Sequence, residues 1–148
     1  MKKIVYLHGL ESKQGGRKVE YLSSKYLTYA PSLQYDNITE CFNETLELVK
    51  QIQPDLIIGS SMGGYFAELL STYIDTEVLL LNPATIKYID TEIPRGSKET
   101  KGQVVIGNLD KTINPQLSNH YYSTMDNMEV IVKFYGHRTP YETFITLI

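Results

Sequence analysis

Three side chains far apart in the chain are of the types that together make a hydroxyl nucleophilic: Ser61, His137 and Asp110. A serine hydroxyl at its free pKa attacks poorly, so it needs a base beside it and a backbone that presents it to substrate. The segment Gly59-Ser60-Ser61-Met62-Gly63 supplies the presentation. This G-x-S-x-G pattern lies between the apolar run Leu56-Ile57-Ile58 and a helical stripe of Phe66, Leu69, Leu70 and Tyr73. The chain must turn sharply there, and side chains at the flanking positions would collide. With Gly and Ser each near roughly 7% of residues, the pattern arises by chance in about 5% of chains this long, so its strand-to-helix setting carries more weight than the match.

The same setting puts Ser61 at a helix N-terminus, whose unpaired N–H groups favour a developing oxyanion. The Met62 N–H is the expected first donor. His8-Gly9 follows the first apolar run, which makes the Leu10 N–H the candidate second donor. The competing reading is a glycine-rich turn that binds a phosphate, and neither a G-x-G-x-x-G nor a Walker lysine accompanies it.

Of the three histidines, His8 precedes the nucleophile and reads as structural, holding its loop by hydrogen bonds. His120 falls in an expected helix over 115–123 and reads as a surface residue. His137 follows the last expected strand directly, in Tyr135-Gly136-His137, where a base could reach the serine. Asp110 lies just past a strand and could accept the His137 Nδ1 proton, fixing the tautomer and stabilising the imidazolium formed during attack. A surface loop histidine and an ordinary turn aspartate are the competing readings of these two residues. Asp126 is the rival acid, ranked below Asp110 because it precedes the final strand.

The elements that must position these groups alternate short β-branched or leucine-rich runs with longer helical stripes, the pattern of βαβ units and a parallel sheet. Strands are expected at 3–7, 27–30, 56–58, 77–81, 103–106 and 129–134. Val19, Leu22 and Tyr26 mark one helix, and Ile38, Phe42, Leu46 and Val49 mark a second, opened by a capping box of Asn37 and Glu40. Asn114-Pro115 opens a further helix, and Thr139-Pro140 with Glu142 opens a terminal one whose stripe is Tyr141, Phe144, Ile145 and Ile148. Between 83 and 102 the periodicity dissolves into a connecting excursion, short for a lid. One domain over 1–148 is expected.

Composition narrows the function classes. Hydrophobic residues are 42% and charged residues 21%, ordinary globular usage. The net charge is −3 with Lys and Arg scattered, so the basic footprint of nucleic-acid binding is missing. No apolar run approaches the ~20 residues of a membrane span. The start Met-Lys-Lys-Ile-Val-Tyr-Leu-His-Gly reads as a first strand rather than a signal peptide. Cys41 is the single cysteine, which excludes an internal disulfide, leaves a Cys-based zinc site without ligands, and fits a reducing cytoplasm. Twelve tyrosines against no tryptophan suggest no function, and nothing in the sequence reports oligomeric state.

The segments Tyr6-Leu7-His8-Gly9, Gly59-Ser60-Ser61-Met62-Gly63-Gly64-Tyr65, Asn82-Pro83-Ala84, Gly107-x-x-Asp110 and Gly136-His137 together resemble the α/β-hydrolase superfamily. Within it they resemble the short bacterial YqiA-type esterases. The resemblance implies a minimal α/β-hydrolase fold, about six parallel strands with helices on both faces and little or no cap. It implies hydrolysis of carboxylic esters or thioesters through an acyl-enzyme on Ser61, with Asp110 and His137 completing the triad and no metal or organic cofactor. The chain is shorter than the pattern between Asn82 and Gln103, which suits small esters or an acyl group displayed on a larger molecule. Lys13, Arg17 and Lys18 follow the oxyanion loop and read as a solvated helix face, with contact to an anionic substrate as the alternative. The rival function from another class is a non-catalytic binding module on the same scaffold, which loss of a triad residue would favour.

Overall fold

Nearly continuous apolar runs can be buried on both faces, and here they form the centre of one parallel sheet. The computed structural model describes residues 1–10, 15–89, 91 and 93–148. The strands are β1 (Lys3–Leu7), β2 (Leu27–Tyr29), β3 (Leu56–Ser60), β4 (Glu77–Leu81), β5 (Gly102–Gly107) and β6 (Met128–Lys133). They pair in the order β2-β1-β3-β4-β5-β6, every pair parallel. Because all six strands run the same way, the loops that leave β1, β3, β5 and β6 gather at one edge of the sheet.

Side chains alternate across the sheet, so each strand feeds two cores. Val5 and Leu7 of β1 join a core built with α2 (Ile38–Ile52), α3 (Met62–Ser71) and Tyr122 of α4 (Pro115–Ser123). Ile4 and Tyr6 join the opposite core, with Leu22 of α1 (Arg17–Ser23) and Phe144 of α5 (Tyr141–Phe144). The sheet therefore carries helices on both faces. No helix among the described residues is long and apolar enough to cross a membrane.

Helix starts follow local side-chain chemistry. Asn37 Oδ1 accepts the Glu40 N–H at 3.1 Å, and Asn114 Oδ1 accepts the N–H groups of Gln116 and Leu117 at 2.9 and 3.1 Å. At the terminal helix the expectation fails. Thr139 gives no cap because its hydroxyl pairs with Tyr135 OH, and α5 ends at Phe144 rather than running to Ile148. The tight turn bonds Thr146 N–H to Thr143 O and Leu147 N–H to Phe144 O replace it. Thr143, Ile145 and Thr146 are β-branched, and Thr146 Oγ1 also bonds back to the Thr143 carbonyl at 2.6 Å, both of which weaken a helix. The apolar side chains of that stripe still pack into the second core. Tyr26 likewise packs there although α1 stops at Ser23.

Between β4 and β5 lies a strap whose only helical piece among the described residues is a 3-10 turn, Thr85–Lys87. Its later part ties to α3: Arg95 Nη1 reaches Glu68 Oε2 at 3.0 Å, and the Gly96 N–H donates to Thr72 Oγ1 at 2.7 Å. The hydroxyls of Tyr65 and Thr91 pair, and Tyr73 OH donates to the Pro94 carbonyl. Between the sheet and this strap every residue of α3 is buried, Glu68 included.

Candidate active site

Ser61, Asp110 and His137 sit in the loops after β3, β5 and β6, so the parallel sheet delivers all three to the same edge. Ser61 follows β3 with φ +56° and ψ −114°, a left-handed conformation strained for any residue with a Cβ. Tight packing enforces it. A Cβ on Gly59 would run into the Gly63 carbonyl, and one on Gly63 would run into the carbonyl of Leu7. Helix and strand can pack this closely only because both positions lack a side chain. The Ser61 carbonyl is fixed by the Gly64 and Ala84 N–H groups at 3.0 and 2.8 Å, and its own N–H donates to Leu81 O at 3.0 Å.

The three side chains form one hydrogen-bonded chain. His137 Nε2 is 2.9 Å from Ser61 Oγ, and His137 Nδ1 is 2.8 Å from Asp110 Oδ2. The Asp110 side chain is 1% exposed and that of His137 24%, so the carboxylate is buried while the ring reaches the solvent side. Asp110 Oδ1 accepts the N–H groups of Thr112 and Ile113 at 2.8 and 2.9 Å. Oδ2 also receives Asn82 Nδ2 at 2.8 Å. Burial pushes the Asp110 carboxyl up, but the bonds from His137, Ile113, Asn82 and Thr112 outweigh it and hold the group below its ordinary 3.8. An ionised, fully bonded carboxylate facing Nδ1 holds the ring with Nε2 free to accept a proton from Ser61.

Asn82 is the participant that sequence reasoning quoted as a motif without giving it a task. It is 3% exposed with φ +44°, and its Nδ2 also approaches the Gly136 carbonyl at 3.3 Å. One asparagine thus ties the Asp110 carboxylate to the loop carrying His137. Asn tolerates this positive φ better than other residues with a side chain, but nothing in the sequence signals the contact to Asp110.

Met62 begins α3, so its N–H belongs to the first turn, which has no intrahelical acceptor. Leu10 and Gly9 line the same cleft as Ser61. His8 is 5% exposed and holds this loop: the Leu33 N–H donates to Nε2 at 2.9 Å, which leaves Nδ1 to donate to the Gly9 carbonyl at 2.8 Å. His120 is exposed on α4, and Asp126 precedes β6 at the far edge of the sheet. Lys13 lies outside the described residues; Arg17 is exposed with its guanidinium 4.0 Å from the Tyr141 ring centroid, and Lys18 is half-buried.

The cleft measures about 300 Å³ and is lined by Gly9, Leu10, Ser60, Ser61 and Thr112, with His137 and Arg138. A larger hollow of about 710 Å³ lies at the opposite edge, around Lys50, Asp55, Glu77 and Lys101, and its described lining has no serine, cysteine or histidine.

A parallel six-stranded sheet wound in this order, with a strained serine after β3, is the minimal α/β-hydrolase fold. The chain belongs to the uncharacterised protein family UPF0227, whose sequence model matches residues 3–128 and so takes in Ser61, Asn82 and Asp110. No curated protein matches it. Among solved structures it resembles a protein of the α/β-hydrolase superfamily from Xanthomonas campestris pv. campestris, with TM-score 0.77, 19% identity, and 93% of this chain and 87% of that one covered. It also resembles Est1E from Butyrivibrio proteoclasticus (TM-score 0.78, 13% identity, 99% and 84% covered). A third is the monoacylglycerol lipase of Paleococcus ferrophilus (TM-score 0.71, 12% identity, 92% and 86% covered). At such identities the likeness is one of fold.

Proposed function

We propose that this chain is a single-domain serine hydrolase that cleaves carboxylic esters or thioesters through an acyl-enzyme on Ser61. The observation that carries the reading is the continuous chain from Ser61 Oγ through His137 to Asp110, at 2.9 and 2.8 Å, on a serine held at positive φ. The names of two structural relatives, an esterase and a lipase, agree with it.

In the proposed reaction Ser61 Oγ attacks the acyl carbon while His137 Nε2 takes the hydroxyl proton. The carbonyl π electrons move onto oxygen, where the Met62 and Leu10 N–H groups stabilise the oxyanion. The oxyanion collapses, the bond to the alkoxide or thiolate breaks, and His137 returns its proton to that leaving group. Water then repeats the sequence on the acyl-enzyme: His137 takes its proton, the acid forms, and Ser61 is reprotonated. Asp110 stays ionised throughout and stabilises the imidazolium. The steps need no metal or organic cofactor. A cleft of about 300 Å³ suits small esters or an acyl group displayed on a larger molecule, and the lone buried thiol of Cys41 suits the cytoplasm.

Turnover of 4-nitrophenyl acetate and S-phenyl thioacetate tests the reading. Ser61→Ala and His137→Ala are each expected to lower kcat by about 10³-fold or more. Equal turnover by wild type and Ser61→Ala would overturn it, and no turnover by well-folded wild type would overturn it in favour of a binding module.

A further inference from the structure

Arg138 directly follows the base and lines the cleft with Ser61 and His137. The loop that carries it runs into α5, and α1 packs against that helix through Arg17 on Tyr141 and Lys18 at 5.7 Å from the Phe144 ring centroid. Lys18 thus shares the α1–α5 corner into which the Arg138 loop runs, and its ammonium is pushed below its ordinary value by burial and then by the Arg138 charge. Among the described residues neither forms an ion pair, and no carboxylate lines the cleft. The whole chain carries net charge −3, so this corner, where the described residues supply only positive charge, is a local exception.

A cation at the cleft wall for which the described residues supply no counter-ion is stabilised by an anion that enters. His137 passes its proton to the leaving group, and Arg138 is its chain neighbour, so the leaving-group side of the cleft is where that anion would meet it.

We infer that Arg138, supported by Lys18, makes this cleft prefer esters or thioesters whose leaving group carries a carboxylate or phosphate. The inference rests on the hydrolase reading, and it turns the basic residues from a solvated face into specificity-determining ones.

A pair tests it: 4-acetoxybenzoate against methyl 4-acetoxybenzoate, which share the acetyl group and release a charged or a neutral phenol, followed as release of that phenol so that their intrinsic reactivities cancel between variants. The ratio of kcat/KM for the carboxylate over the methyl ester is expected to fall about fivefold in Arg138→Gln, the size of an exposed ion pair. In the double variant with Lys18→Gln it is expected to fall about tenfold or more. Raising salt from about 0.02 to 0.5 M is expected to lower the wild-type ratio toward that of the variant. A ratio unchanged in both variants overturns the inference, while methyl ester turnover lost in Ser61→Ala keeps the hydrolase reading standing. A second arm needs no turnover: 4-hydroxybenzoate titrated against the His137 ring resonances. A saturable shift weakened in Arg138→Gln is expected, and no saturable shift in wild type overturns the inference whether or not esters are cleaved.

Discussion

Asn82 Nδ2 and His137 Nδ1 meet the same oxygen, Oδ2 of Asp110, each at 2.8 Å. The amide thereby fixes the carboxylate that fixes the ring, and in the proposed reaction Asn82 is a positioning residue that acts through Asp110. Asn82→Gly is compatible with the backbone at φ +44° and removes the side chain with its amide donor. It is expected to lower kcat by about ten- to a hundredfold, the worth of one hydrogen bond to a charged group, with little change in KM. The Asp110 carboxyl should rise in an NMR titration, a shift that a merely structural role would not produce.

Acid sensitivity follows from the same carboxylate. Because Asp110 is held below its ordinary 3.8 in the folded chain, the unfolded chain takes up the proton first as pH falls. Its contribution to stability is complete above about pH 4 and fades as pH drops through the lower folded value. The stability gap between wild type and Asp110→Asn, from urea melts, should therefore be larger at about pH 7 than at about pH 2.5.

Much of this arrangement is legible in the sequence, and the exceptions have physical causes. The expected spans of β1, β4 and α4 coincide with the structure because each combines a clear period with a sharp boundary, as at Asn114-Pro115. Ser61 and His137 are readable because a single strand or turn places each of them. Asn82 is not, because its role depends on a contact 28 residues away. Glu68 is equally silent: it lies on the helix that carries the core stripe, and only the strap through Arg95, with Tyr121 OH at 2.9 Å, makes a charge there tenable. The terminal helix fails because apolar spacing survives a turn that β-branched residues shorten.

The close approach of α3 to β1 gives a stability test. A Cβ on Gly63 would meet only backbone, including the His8 carbonyl oxygen at 2.8 Å, and no side chain can swing aside. Gly63→Ala is expected to lose about 2–3 kcal/mol, as overpacked sites do. That corresponds to a fall in Tm of about 5–10 °C by calorimetry. Gly136→Ala, where a Cβ meets nothing within 4 Å, should stay within about 0.5 kcal/mol of wild type.

Strain at the serine can be isolated by comparing two variants that both lack the hydroxyl. Ser61→Gly relieves the φ of +56°, whereas Ser61→Ala retains it. The glycine variant is expected to be more stable than the alanine variant by about 1 kcal/mol in denaturant melts, the strain exceeding glycine's entropic penalty. Equal stability would mean that the turn around Ser61 carries no strain.

The central claim is that His137 activates Ser61, and covalent labelling tests it most directly. Wild type, Ser61→Ala and His137→Ala are exposed to a fluorophosphonate probe, and the adduct is mapped by mass spectrometry. The account expects an adduct on Ser61 in wild type, none in Ser61→Ala, and labelling slowed by about 10²-fold or more in His137→Ala. A well-folded wild-type chain that takes no label at Ser61, or labels equally fast without His137, would contradict it.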